Sequence, residues 1–270
     1  MDNLPASIPN TAALLGSALA VCFLVANAKS LPLAHSFRLL PSFYGLLLQP
    51  RLFPVAKKTG VLPSEPSTAA AARPALFKHH VTSSRAVLLD LDINMHKSNS
   101  TFFADADINR AELLTRLLGP GLAATGPPAA IPLLAAVQCN FKREISPFQA
   151  YHLSSRILAW DDKSLFTVTY FLKPGAKLPA DVEVAGGPGA VLGDPSLKRS
   201  VYAVMVTRYV CKAGRVTVEP AAVLEAAGLL VAGATAQGAE KEKHEAGLVA
   251  AGDVEIAVKH GIQYVGDCMV

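Results

Sequence analysis

The sequence predicts an α+β fold behind an N-terminal membrane anchor, and three observations predict it. Residues 11–28 form an apolar run, one amphipathic helix follows a polar stretch at 90–101, and several strand-like segments joined by tight turns fill 133–218. With 270 residues and 51% hydrophobic content, the chain holds enough apolar material for one substantial domain with appendages. The net charge of +4 is small, and Lys and Arg are scattered instead of forming a stripe with interleaved aromatics. A nucleic-acid partner is therefore not expected. Cys22, Cys139, Cys211 and Cys268 lie far apart, without the paired spacing of a disulfide scaffold or a zinc site. No metal is expected, and a reducing compartment is the simpler reading.

Taken in order, the elements are these. Residues 1–30 read as the anchor, because 11–28 are apolar or small apart from Thr11, Ser17 and Asn27 and reach the roughly 18 residues a membrane helix needs. Ala26-Asn27-Ala28 also has the small-x-small form of a signal-peptide cleavage site. An uncleaved anchor is preferred, since Asp2 precedes the run while Lys29, Arg38, Arg51, Lys57 and Lys58 follow it, which places the bulk of the chain on the cytosolic side. Residues 31–75 combine an interfacial segment with a linker. Phe37, Phe43 and Tyr44 can enter a membrane interface with Arg38 and Arg51 at the headgroups, or the segment can pack on the domain as a short helix. The Pro-, Ala- and Ser-rich stretch 59–74 is the linker.

The domain is expected over 76–230. Residues 85–89 read as the end of a strand. Ser100 or Thr101 then caps a helix to about Leu118, with Ala104, Ile108, Ala111, Leu114 and Leu118 on its buried stripe. Gly119-Pro120-Gly121 breaks it. Strands follow at 133–144, 148–160, 164–173, 201–211 and 215–218, separated by turn chemistry at Ser146-Pro147, Asp161-Asp162-Lys163 and Lys212-Ala213-Gly214. The Gly- and Pro-rich stretch 174–198 reads as an irregular surface insertion, either a flap or a loop. Residues 219–230 close the domain with a helix, and 231–270 form a charged, solvated tail.

Chemistry is concentrated where the first strand meets the helix. Asp92, Asn94 and His96 set a carboxylate, an amide and an imidazole at alternate positions, ahead of a helix N-terminus whose backbone N–H groups are unpaired. These groups suit attack on a carbonyl. Turn building and helix capping explain Asp92 and Asn94 as well. Asn99 and Ser100 can meet a substrate oxygen or serve as caps.

The run 90–102 also resembles the Asp-Leu-Asp-x-Asn-x-His-x-x-Asn signature of hot-dog-fold thioesterases, especially the acyl-carrier-protein thioesterases. Extended through Ala104-Asp105-Ala106-Asp107-Ile108-Asn109-Arg110-Ala111, it is similar to the branch of thioesterase superfamily member 6, which includes fungal secondary-metabolite thioesterases. The resemblance covers 78–228. It implies a single hot-dog domain, an antiparallel sheet wrapped around a central helix, that hydrolyses an acyl-CoA or a carrier-bound acyl or polyketide thioester without a cofactor. It assigns function to Asp92, Asn94 and His96, and through the segment Asn140-Phe141-Lys142-Arg143-Glu144 it offers Glu144 as a catalytic partner. Asp105 and Asp107 are alternative acids, because another hot-dog subgroup uses an acid on the central helix. A single copy implies a homodimer with the site between subunits. The chain departs from the pattern at Lys97-Ser98-Asn99, where the carrier-protein enzymes have Val-Asn-Asn. Dehydratases of the same fold separate their Asp and His by five positions, a spacing that neither Asp92 nor Asp90 makes with His96. A non-catalytic acyl-binding or scaffold protein is the remaining alternative.

Overall fold

The structure is a computed structural model that describes residues 8–44, 75–230 and 251–269. The expected linker at 59–74 and most of the charged tail lie outside the described residues.

Helices α1 (Ile8–Ala26) and α2 (Ala34–Phe43) precede strand β1 (His80–Arg85) and the long helix α3 (Asn99–Ala124). Then come β2 (Ile131–Phe141), β3 (Ala150–Trp160), β4 (Leu165–Leu172), helix α4 (Ala180–Gly193), β5 (Val201–Ala213), β6 (Val216–Val218), α5 (Pro220–Ala226) and α6 (Ala251–Met269). All strand pairs are antiparallel, in the order β1-β3-β4-β5-β2, with β6 paired to the end of β5 on the edge opposite β2. The expected α+β arrangement of a sheet against one long helix is therefore present.

Helix α3 forms the inner layer. Leu113, Leu114, Leu117, Leu118 and Leu122 pack with Ile157, Leu165, Tyr209 and Cys211, and nearer its start Phe102 and Ala106 meet Tyr151, Leu153, Phe171 and Met205. Each such side chain stabilises the fold by about 1.5–3 kcal/mol through burial. Two details differ from the expected helix. It runs on through Gly119-Pro120-Gly121, because Gly121 lies so close to α5 that a Cβ would meet the Val223 carbonyl oxygen at 2.1 Å. Packing overrides the local breaker there. Its buried face also includes Asn109 and Arg110, with Arg110 donating to Thr207 and to the Met205 sulfur of β5.

Every residue of β4 is buried, which requires cover on both faces of the sheet. The outer cover comes from the stretch expected to be irregular and from the tail expected to be solvated, whose residues 251–269 form a packed helix. α4 packs on α6, α6 packs on β3, and Val191 and Val265 close over Leu158, Phe166, Val168, Tyr170, Val204 and Val206. Gly187, at φ 62°, breaks α4 into two pieces and made its sequence look non-helical. Arg156 of β3 and Glu183 of α4 form a fully buried ion pair at 2.6 Å that fixes this cover.

The N-terminal region departs furthest from expectation. Among the described residues no helix is long and apolar enough to cross a membrane, so the single-pass anchor over 11–28 is not supported. Its apolar run ends early because Asn27 is fully buried in the domain, where its Oδ1 accepts the Leu89 N–H and its amide donates to the Phe23 carbonyl. Residues 11–26 are exposed throughout. α2 packs along α3, and Arg38, expected at lipid headgroups, lies 3.7 Å from Asp105. The strand end expected at 85–89 stops at Arg85, and Leu88–Asp90 is a 3-10 turn with Leu88 and Leu89 half-exposed.

Candidate active site

The polar stretch after β1 folds into a tight turn whose base is the pairing of Leu91 with Lys97. The Asp92 N–H donates to the His96 carbonyl at 2.9 Å, and the Met95 N–H to the Asp92 carbonyl at 3.0 Å. Met95 takes the left-handed conformation, at φ 59°. The Asp92 carboxylate closes the turn, since its Oδ1 accepts the N–H of Asn94 at 2.9 Å and that of His96 at 3.4 Å. Asp92 thus performs the turn-building role that its position allows. Among the described residues no side chain bonds its Oδ2, and Asp92 is half-buried, so one carboxylate oxygen stays open to a water or a substrate.

His96 and Glu144 come together, with His96 Nε2 3.1 Å from Glu144 Oε2. Glu144 was expected at the end of a strand; β2 stops at Phe141, and the connection to β3 carries Glu144 over to the turn. The Lys97 N–H donates to the Ile145 carbonyl at 2.9 Å, which ties the two segments side by side. The His96 imidazole and the Glu144 carboxylate therefore meet at a partly exposed surface, on the turn that Asp92 closes. Asn94 is exposed at the tip of the turn. Asn99 and Ser100 open helix α3 and are exposed; Ser98 takes the N-cap position expected of Ser100 or Thr101, and the Thr101 hydroxyl donates back to the Ser98 carbonyl. Nothing in the helix ties Asn99 or Ser100 to a fixed partner other than the contact between the Ser100 and Ser98 hydroxyls.

The alternative acids on α3 separate. Asp107 is over a third exposed and pairs with Arg110. Asp105 is buried inside an ionic cluster: its carboxylate lies 2.9 Å from Lys97 Nζ and 3.2 Å from Lys29 Nζ and accepts the Tyr151 hydroxyl. Burial pushes the Asp105 carboxyl up, but Lys97 and Lys29 outweigh it and hold it below the usual carboxylate range. An acid fixed in its charged form by two ammonium groups is a poor proton donor. Asp90 completes the cluster, 2.5 Å from Lys29 and 3.5 Å from Lys97. Burial lowers the Lys97 ammonium from its ordinary value, and Asp105 opposes that. Beside Asp105 opens a cavity of about 270 Å³ with mostly polar walls, including Arg38, Ser83, Ser84 and Glu112. Such walls do not suit an alkyl chain.

Sequence reasoning missed Lys97 as a structural residue, although the signal was present: a lysine stands where the resembling signature has valine. Lys29 was read only as a cation flanking the apolar run, because 61 positions separate it from Asp90.

Comparison with known proteins follows the same region. Residues 87–214 match the family model described as the thioesterase-like superfamily. The chain is 45% identical over 174 residues to Thioesterase poxG of Penicillium oxalicum, a match covering 59% of this chain and 57% of that protein. It thus spans little more than half the length of that relative. It is 35% identical over 265 residues to Probable thioesterase atnL of Emericella nidulans, covering 86% of this chain and 82% of that protein. The probable thioesterase YbaW from Escherichia coli superposes with a TM-score of 0.41 at 11% identity, over 56% of this chain and 96% of that one.

Proposed function

Because the chain belongs to the thioesterase-like superfamily, we propose that it hydrolyses an acyl thioester at the turn that carries Asp92 and His96. The observation that carries this reading is the convergence of that turn with Glu144, whose carboxylate meets the His96 imidazole on the turn that Asp92 closes. The Asp92 Oδ2 activates the attacking water or attacks the thioester carbonyl itself. His96, oriented by Glu144, steadies the water or the carbonyl oxygen, and the exposed N–H groups at the start of α3 lie nearby for the developing oxyanion. No step needs a metal or an organic cofactor.

The substrate is an acyl-CoA or a carrier-bound acyl or polyketide thioester. A place in fungal secondary-metabolite biosynthesis belongs to the proposal and rests on the motif resemblance and on fungal relatives. A homodimer does too: β2 pairs with β5 along one edge, its other edge is open among the described residues, and Leu133 and Leu134 are half-exposed on it. A second copy joined there would make one continuous sheet. A cytosolic location belongs to the proposal as well and rests on the wide, unpaired spacing of the four cysteines along the sequence.

The test is hydrolysis by the full chain across acyl-CoA and acyl-carrier substrates, comparing wild type with Asp92→Asn. A drop of roughly 10²- to 10⁴-fold in kcat, in a variant that melts like wild type, supports the assignment. Unchanged turnover would move the chemistry to Glu144 and His96, and no turnover from either protein would favour an acyl-binding role.

A further inference from the structure

The ionic cluster beneath the turn alternates in sign. Each buried carboxylate, Asp90 and Asp105, stands between two ammonium groups, one from Lys97 and one from Lys29. Lys97 belongs to the turn itself. Lys29 arrives from the N-terminal segment, and two neighbours dock it: the Asn27 side chain accepts the Leu89 N–H at 3.0 Å and the Ser30 hydroxyl donates to Asp90, while Lys29 itself also donates to Ser84 and Tyr151 at 3.2 and 3.1 Å. Asp90 is the residue on which this docking acts. Its side chain accepts the Val87 N–H at 3.3 Å and its carbonyl accepts the Ser98 N–H at 2.7 Å, so it holds both the approach to the turn and the exit from it. Asp92 lies two residues further along an extended backbone.

We propose that Lys29 is a positioning residue for thioester hydrolysis, holding through Asp90 the turn that carries Asp92 and His96. The inference rests on the reading of that turn as the catalytic one. Its physical basis is charge balance. Without Lys29, Lys97 is the one ammonium group left to both buried carboxylates and Arg38 stands by Asp105 alone, so Asp90 is the less compensated of two acids that repel each other and relax by moving apart. Asp105 is fixed on a helix and Asp90 in a short turn, so the displacement falls on Asp90. A shift of about 1 Å at a reacting group can cost 10²-fold in rate. The N-terminal segment is then part of the site instead of an appendage to it.

The experiment uses the full chain with Lys29→Met, Lys29→Arg and, as a surface control, Lys163→Met. Steady-state hydrolysis of the thioester panel is read together with amide hydrogen exchange at His96 and Ser98. The expected result is a kcat roughly 10- to 100-fold lower in Lys29→Met with KM within about twofold, substantial recovery in Lys29→Arg, and exchange in the turn at least roughly tenfold faster. Lys163→Met should match wild type. Wild-type kcat with unchanged exchange in Lys29→Met overturns the proposal, as does an arginine variant no better than the methionine one. Should wild type hydrolyse nothing in the panel, the thioesterase reading fails, and the exchange arm alone decides whether Lys29 holds the turn. If Lys29→Met does not fold, Lys29→Gln, neutral but still hydrogen-bonding, is judged by the same two readouts.

Discussion

Glu183 and Lys97 are both charged groups with no exposure of their side chains, and they differ in what surrounds them. Glu183 accepts from Arg156 at 2.6 Å and from Tyr170 at 2.9 Å, and lies 3.0 Å from His79. Burial raises its carboxyl, but Arg156 and His79 overcome that and hold it at about 2, against an ordinary 4.5. A carboxyl depressed on folding contributes stability that is present above the unfolded value and is lost as pH falls through the folded one. Melting temperature should therefore fall from about pH 4.5 toward pH 2, and Glu183→Gln, less stable at neutral pH, should lose much of that slope. Lys97 serves two acids at once. Lys97→Met should cost about 3–5 kcal/mol in a urea titration, since it leaves Asp90 and Asp105 undercompensated in the interior. Asp92, Asn94, His96 and Glu144 were legible as candidates from residue type and motif. Their buried supports were not, because a lysine or a glutamate reads as surface until its partners are known.

At the scale of elements, local pattern identified β2 to β6 to within about three residues, while β1 ended at Arg85 instead of near Leu89 and α3 was capped by Ser98 instead of Ser100 or Thr101. It failed where packing overrules propensity. Gly119-Pro120-Gly121 reads as a stop, yet α3 continues to Ala124, because Gly121 allows α5 to approach within backbone contact. Gly121→Val should therefore drive the two helices apart and lower stability by about 1–3 kcal/mol or more, measurable as a fall in melting temperature. The stretch at 174–198 failed in the opposite direction. Its glycines and prolines predict a loop, while α4 exists because its two pieces bury Val191 and Glu183 on the sheet. A short helix of poor propensity survives when tertiary contacts supply what its own hydrogen bonds do not.

At the scale of the whole molecule, the centre of the sheet is covered on both faces, and among the described residues its edges are β1 and β2. The outer face is closed by α4 and α6, and Gly261 of α6 sits so near β3 that a Cβ would lie 2.8 Å from both the Ala159 Cβ and the Leu158 carbonyl oxygen. Gly261→Leu should lift α6, uncover apolar residues such as Phe166 and Val168, and increase binding of a hydrophobic dye without unfolding α3. The open β2 edge makes the complementary prediction. Sedimentation should show a dimer for wild type, and Leu134→Lys, a charge on the pairing edge, should shift it toward monomer and lower turnover.

What the sequence determined by itself was local: strand-like segments bounded by tight turns, one helical stripe for α3, and a run of polar residues ahead of that helix that carries the signature of its family. Those features depend on neighbours a few positions apart, so they are written in order along the chain. Only the tertiary structure brought Glu144 to His96, set Lys29 beside Asp90, turned a Gly- and Pro-rich stretch into a covering helix, and ended the N-terminal apolar run at a buried asparagine. Each of these depends on groups dozens of positions apart meeting in a water-poor interior, where pairing a charge or filling a face is worth more than any local preference.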